Sequence, residues 1–384
     1  MPKKRTNIHI FFSSIENESR LMKETASLIK LGLVDHILIL GKNEGHLPKY
    51  QTIDENRQII RATMIKNSKN YGSITKKIIG LIRLSQYLFF VLWTIVKIRP
   101  AFISCHNLLL LPLGSITKVI SGAKLIYTPH ELETERTGLK AKVKKLAKLN
   151  EKIFIRFADK VMVVCEPIAK WYETTYGINC VFVLPNAPHN PYINKPLIRT
   201  KLLKEEFSIP DDHLIFIYQG VIDRTRGSVE LIDNFKKIKK DRHLVMMGYG
   251  DTVPYLKEVS KENHNIHFKE AVDINKIIDY TSSADVGIFY IPFDISLSYR
   301  FSLPNKFYEY LIAGLPIIVS SNLEYLSNII IKNDIGWVLP NDQHTFVAFV
   351  NSMNQTFIHS KNVTSYANNS GWQLEEKVLE EVYC

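Results

Sequence analysis

Short apolar runs alternate with amphipathic stretches along most of this chain, the pattern of strands buried beneath covering helices. Asn7 to Phe12 predicts a strand, Ser13 to Ser19 a polar loop, Arg20 to Lys30 a helix and Val34 to Leu40 a second strand, a βαβ opening. Residues 42 to 72 are polar and weakly patterned. Further strands are expected over Ala101 to Cys105, fed through Pro100 by a helix around Tyr87 to Ile98, and over Lys124 to Tyr127, Lys160 to Val164 and Val181 to Leu184. The stretch EPIAKWYETTYGI reads as a helix stopped at Gly177, and PNAPHNPYINKP as a connection. Beyond it, Leu214 to Gln219, His243 to Met247, Ile266 to Phe268 and Ala284 to Tyr290 predict the strands of a second sheet.

The pattern is sharpest in SLPNKFYEYLIAGLPIIVS, Ser302 to Ser320. Pro304 and Asn305 open a helix, Gly314 and Pro316 stop it, and Ile317, Ile318 and Val319 form a core strand. At about 100° per residue, Asn305, Lys306, Glu309 and Ala313 share one arc, so a small, polar strip is expected to stay free for a ligand or a second domain. Unpaired N–H groups and a first-turn Lys suit a phosphate, and a carboxylate one turn on suits a vicinal diol such as ribose. The same two residues also read as a surface (i, i+3) ion pair.

Other candidate chemistry falls at strand ends, where open α/β sheets bind ligands. Ser13, Ser14 and Arg20 follow the first strand, His106 and Asn107 the third, and His130 and Glu131 the fourth. In the second half, GVIDRTRGSVELI sets a glycine after a strand and a basic loop before a helix, with Arg226 and Gly227 at a second anion site. Arg224 reads either as a companion cation or as a solvated side chain.

Composition narrows the class. The 384 residues suit two domains, and an apolar content of 46% supplies two cores. A net charge of +11 points to anionic partners: nucleic acid, acidic lipid or nucleotide sugar. Cys105, Cys165, Cys180 and Cys384 are scattered without a CxxC pair, so neither zinc nor a disulfide framework is indicated and a reducing cytoplasm fits. No G-x-G-x-x-G points to a nicotinamide or flavin, and no signal peptide is read at MPKKRTNIHIFF. The uncharged run Leu84 to Val96 is short for a span of ~20 residues, which favours a buried or interfacial helix. Leu139 to Phe157 is a basic amphipathic helix, with Leu139, Val143, Leu146, Ile153 and Phe157 against Lys140, Lys144, Lys145, Lys148 and Lys152. It suits an anionic membrane surface or an outer helix packed on its own sheet.

SLPNKFYEYLIAGLPIIVS resembles the nucleotide-sugar segment of the GT-B-fold glycosyltransferases of family 4 (glycosyl transferases group 1), in the branch with S-x-P-N-K-x-x-E-Y-x-x-A-G-x-P. LIYTPHELETER is similar to that branch's strand-then-HE segment, and GWQLEEKVLEEVYC to its closing helix. The resemblance implies two Rossmann-like domains with parallel sheets facing a central cleft. The first, acceptor-binding domain covers 1–190 with residues 366–384 packing back onto it, and the nucleotide-sugar domain covers 191–365.

It implies retaining transfer, without metal or other cofactor, from a UDP- or GDP-sugar to a saccharide, in particular a lipid-linked one, in bacterial surface polysaccharide synthesis. Arg226, Gly227, Ser302, Leu303, Asn305, Lys306 and Glu309 would hold the donor. Ser13, Arg20, His106 and Asn107 would face the acceptor. His130 would meet the sugar, with Glu131 orienting it or accepting the acceptor's proton. Phe301 stands where many members carry a Glu, and backbone amides around Ser302 and Leu303 are expected to substitute. Gly220 and Val221 stand where many carry a second basic residue. The rival readings are a nucleotide-sugar 2-epimerase of the same architecture and a catalytically weak scaffold subunit, with nucleic-acid binding last.

Overall fold

A computed structural model describes residues 4–16, 18–65, 72–195, 197, 199–359 and 362–384. Parts of four expected segments fall outside these residues: the basic amino terminus, Asn17 of the first polar loop, the weakly patterned stretch over 66–71, and Pro196 of the connection. The chain divides into Met1–Pro185 with Glu375–Cys384, and Asn186–Leu374. The expected division lay at 190 and 366. Asn190 belongs with the second unit because its side-chain amide donates to the carbonyls of Ala367 and Ser370.

The first unit contains β1 (Thr6–Ile10), β2 (His36–Lys42), β3 (Tyr50–Thr52), β4 (Arg57–Ala62), β5 (Phe102–Cys105), β6 (Lys124–Tyr127), β7 (Lys160–Val163) and β8 (Val181–Val183). Their order is β3-β4-β2-β1-β5-β6-β7-β8, parallel except for the β3–β4 hairpin. Strands β3 and β4 lie in the stretch expected to be polar and weakly patterned. Arg57 and Arg61 hide the strand in the sequence. The buried Arg61 guanidinium donates to the carbonyls of Ser14, Ile15 and Pro48 and to Gln51 Oε1, so a charge can sit inside a sheet edge.

The second unit contains β9 (Leu214–Val221), β10 (Arg242–Tyr249), β11 (Ile266–Glu270), β12 (Val286–Phe289), β13 (Ile317–Ser320) and β14 (Gly336–Leu339). These run parallel in the order β11-β10-β9-β12-β13-β14. Each sheet alternates with helices in sequence, so right-handed crossovers bring strand carboxyl ends, and the loops that follow them, to one edge. Residues Glu375–Cys384 return to the first unit, where Leu379, Val382 and Tyr383 are buried, Glu376 meets Ser27 and Lys30, and Lys124 meets the carbonyl of Cys384.

The helix expected around Tyr87 is much longer. It runs Ser73–Ile98, 26 residues, long and apolar enough to cross a membrane by length and composition. Tyr87, Val91, Thr94 and Ile95 are buried, and the Tyr87 hydroxyl lies within hydrogen-bond reach of the carbonyls of Phe11 and Leu40, so one face is fastened to the first unit. The opposite face, with Ile74, Ile78, Leu81, Phe89, Trp93 and Val96, is exposed. Lys76, Lys77 and Arg83 interrupt the apolar run in sequence and mask its length.

The basic amphipathic stretch is a helix over Ala141–Phe154 continued by a 3-10 turn, Ile155–Phe157. Its apolar side chains are not packed beneath it: Val143, Leu146 (67% exposed), Leu149 and Ile153 face outward. Val119 and Ile120 on Leu111–Ser121 are also exposed. An outer helix packed on its own sheet through that apolar face is therefore not what forms.

Candidate functional site

In the second unit the loop after β9 and the helix Asn305–Ile312 meet. β9 carries Gln219 and Gly220 just before its end at Val221, a 3-10 turn covers Arg224–Arg226, and Gly227 caps the helix Ser228–Phe235. Gly227 has φ +72, and a Cβ there would lie 2.7 Å from the Tyr290 carbonyl oxygen, so both conformation and space require glycine. Arg226 forms an ion pair with Asp223 at 3.5 Å and is half-buried, while Arg224 is exposed.

Lys306 is not on a free strip. It is 93% buried, its ammonium lies 3.9 Å from the centroid of the Tyr218 ring and 4.8 Å from that of Phe289, and its Nζ has no hydrogen-bond partner. Burial pushes the ammonium down to about 7, helped by Arg226 and opposed by Glu309 and Asp223. Gly220 covers its stem, with a Cβ position 3.9 Å from Lys306 Cε. Ala313 is buried as well, and Asn305 and Glu309 are half-buried, because the helix packs onto aromatic residues at the strand ends.

Glu309 does not form the alternative surface ion pair. Gln219 Nε2 donates to Glu309 Oε2 at 2.5 Å, and Gln219 Oε1 accepts from Thr281 Oγ1 at 2.8 Å. The Gln219 backbone N–H donates to the Tyr310 hydroxyl at 3.1 Å, tying strand and helix together. A buried cation without a partner beside a second cation, one turn from an oriented carboxylate, can take an anion and then a diol.

Sequence reasoning missed Gln219 and Thr281, whose roles arise only when distant segments meet. Of the two amides expected to substitute for the absent Glu, that of Ser302 already has a partner. The Ser302 N–H donates to Tyr299 O at 3.0 Å and that of Phe301 to Leu297 O at 3.2 Å, closing the short helix Leu297–Arg300, so the Ser302 amide is engaged. The Ser302 hydroxyl is buried with no partner and is the available donor there, while Leu303 packs on the core.

In the first unit, β1, β5 and β6 are adjacent and bring three imidazoles into a row. His9 Nδ1 lies 2.9 Å from His106 Nε2, and His106 Nδ1 lies 3.1 Å from His130 Nε2. His9 and His106 stack with centroids 5.2 Å apart, close to the strand spacing of about 4.8 Å. Burial holds His9 and His130 down at about 3 and His106 well below its ordinary value, so all three rings are neutral. His9, Glu24 and His106 offer atoms within 4.8 Å of one another, a set suited to a metal ion, but His9 Nδ1 and His106 Nε2 already face each other.

Glu131 forms an ion pair with Arg136 at 2.9 Å, and the ring that holds His130 is His106. Arg20 is buried rather than lining the loop edge, with Nη1 donating to Leu184 O at 2.9 Å and its charge acting on Glu24, His106 and His130. Ser13 Oγ accepts from the Ile15 N–H, and Asn107 Oδ1 from the Phe12 N–H, so both brace the loop after β1. Glu133, passed over in the sequence, accepts from the Leu108 N–H, and burial pushes its carboxyl up to about 7.

Residues 213–355, most of the second unit, match the family described as Glycosyl transferases group 1. No curated protein matches the sequence. Solved structures similar to both units together include sucrose-phosphate synthase from Thermosynechococcus elongatus, with a TM-score of 0.72 and 15% identity over 99% of this chain and 96% of that one. Anabaena HepE, solved in complex with UDP-glucose, gives 0.70 and 12% over 98% and 99%. WaaG, a glycosyltransferase involved in lipopolysaccharide biosynthesis, gives 0.62 and 13% over 98% of each chain. Both units are built on parallel α/β sheets in the GT-B fold of these neighbours, and the stretch that carries Arg226, Lys306 and Glu309 has the sequence signature of the group 1 glycosyltransferases.

Proposed function

We propose that the protein transfers a sugar, with retention of configuration, from a UDP- or GDP-sugar to a lipid-linked saccharide during synthesis of a bacterial surface polysaccharide, at the cytoplasmic face of the plasma membrane. The observation that carries the donor side is the partnerless buried Lys306 beside Arg226, with Glu309 aimed by Gln219. HepE was solved with UDP and with UDP-glucose, and WaaG acts in lipopolysaccharide synthesis, which supports the donor class and the setting. In the transfer, the bond from the anomeric carbon to the leaving diphosphate breaks as the acceptor oxygen bonds to the same face. The acceptor proton passes to the diphosphate, and Lys306 and Arg226 stabilise the charge that develops there.

The test is thermal stabilisation by a panel of nucleoside diphosphates and nucleotide sugars without added metal, followed by NMR of the product's anomeric proton. One nucleoside class should stabilise the wild type and fail with Glu309→Ala, and the product should keep the donor's configuration. An isomerised free nucleotide sugar would identify an epimerase. No stabilisation by any donor would leave a scaffold subunit.

The membrane part of the reading rests on the exposed apolar faces of Ser73–Ile98 and Ala141–Phe154 and on the lysines among them. Each lysine near anionic headgroups contributes on the order of 1 kcal/mol, and each inserted large apolar side chain roughly 1.5–3 kcal/mol. The protein should co-sediment with vesicles containing phosphatidylglycerol and much less with pure phosphatidylcholine. The double variant Trp93→Asp/Leu146→Asp, at two exposed positions, should weaken binding about tenfold or more with the fold intact. Equal recovery in the supernatant with both vesicle types would end this part of the reading.

A further inference from the structure

The row of imidazoles has a direction. A neutral imidazole carries one N–H and one bare nitrogen, so each ring donates once and accepts once. Three such rings in series have only two consistent arrangements, with every proton pointing toward His130 or every proton pointing away. The residue at the buried end decides between them. Asn7, two residues before His9 on the same face of β1, places its amide nitrogen 2.9 Å from His9 Nε2. The same nitrogen lies 3.1 Å from Ser104 Oγ and 3.2 Å from the Tyr383 hydroxyl, while Asn7 Oδ1 accepts from Ser104 Oγ.

An amide nitrogen can only donate, so His9 Nε2 is an acceptor and the His9 proton is on Nδ1. That proton goes to His106 Nε2, which places the His106 proton on Nδ1, facing His130 Nε2. We propose that Asn7, His9 and His106 are positioning residues that fix His130 in its Nδ1–H tautomer, so that it meets a sugar oxygen as a hydrogen-bond donor and has no free basic nitrogen. The proposal deepens the transferase reading and rests on His130 facing the sugar. It also divides the work at this strand end: His130 orients a hydroxyl and does not remove a proton from one.

The surroundings fit that role. Asn7, His9, Ser104 and His106 are essentially inaccessible to solvent, so no water competes for the intermediate nitrogens, and His130 is the member of the row that reaches the surface. Phe11 stacks on the His130 ring with centroids 5.6 Å apart and meets His106 edge-on at 5.5 Å, which fixes both ring planes. A second row, His213, His243 and His267, crosses β9, β10 and β11 at their amino ends, away from the ligand edge, so a histidine ladder alone does not assign this function.

The experiment uses the full chain labelled with [15N]histidine. Long-range 1H–15N correlation near neutral pH reads the tautomer of each ring, with His130 assigned from the signal lost in His130→Gln. His130 should show a protonated Nδ1 and a bare Nε2. A protonated Nε2, or an average of the two, would overturn the proposal whatever the activity. His9→Leu removes the second link, and Asn7→Ala, which keeps all three rings, serves if His9→Leu does not fold. Either variant should relax His130 toward an averaged tautomer and lower kcat about 10- to 100-fold, with donor KM within about twofold. A relaxed tautomer with unchanged kcat would overturn the role of His130 at the sugar while leaving the donor assay of the second unit unaffected.

Discussion

Lys306→Met is expected to abolish transfer and, in the same protein, to raise the melting temperature of the free enzyme. The two effects have one cause. A buried ammonium with no hydrogen-bond partner costs the fold free energy that only an anionic ligand returns, whereas methionine fills the space between Tyr218 and Phe289 at little cost. The gain should amount to a few kcal/mol, at about 2–4 °C per kcal/mol for a unit of this size. The loss of turnover should be about a thousandfold or more.

The same lysine predicts a pH dependence with a definite sign. Its folded value of about 7 lies below the 10.5 of an unfolded chain. Below pH 7 both states are protonated and the penalty is full. Between 7 and 10.5 the unfolded state holds the extra proton, so stability of the free enzyme rises with pH, and Lys306→Met should flatten that rise. A bound diphosphate raises the lysine's value, so donor binding takes up a proton above pH 7. Affinity should be greatest at or below pH 7 and fall by up to tenfold per unit above it. Calorimetry in buffers of different ionisation enthalpy measures this uptake, and an affinity flat from pH 7 to 9 would contradict it.

The second large effect is expected at Gly287 on β12. A Cβ there would lie 2.4–2.5 Å from the ring of Tyr310, which is fully buried and cannot swing aside. Tyr310 carries the helix that presents Lys306 and Glu309, and its hydroxyl accepts the Gln219 N–H and donates to Ile288 O. Gly287→Ala should therefore destabilise the second unit by about 1–3 kcal/mol and weaken donor binding as well. Gly287→Ala/Tyr310→Leu, with space restored, should cost less in denaturant unfolding than the sum of the single changes. Simple additivity would show that the contact does not carry the effect.

The helix bearing Lys306 and Glu309 was legible because its punctuation is local: Pro304 at the start, Gly314 and Pro316 at the end, and a β-branched strand behind. Parallel strands were legible because burial on both faces leaves unbroken apolar runs, as at Ile317 to Val319. What escaped depends on partners far away in sequence. Arg57 and Arg61 argue against a strand until the carbonyls that receive Arg61 are known. Gln219 is an ordinary strand-end residue until Glu309, ninety residues on, reaches it. His9 looks like a stray polar residue until the sheet order sets β1 beside β5. The burial of Lys306 was misjudged because a helical wheel shows which residues share a face, not whether that face meets solvent.

The return of Glu375–Cys384 to the first unit has a consequence for how the chain is made. A ribosome completes Pro185 about 190 residues before it starts the segment that supplies Leu379, Val382 and Tyr383 to that unit's interior. At about 5–20 residues per second the nascent first unit waits roughly 10–40 s with the Tyr383 position beside Asn7 and Ser104 unfilled. The second unit, whose residues emerge in one continuous stretch, can be finished first. The polypeptide's later-made unit can thus mature ahead of the earlier one, and the polar end of the histidine row is closed only when Tyr383 has been translated.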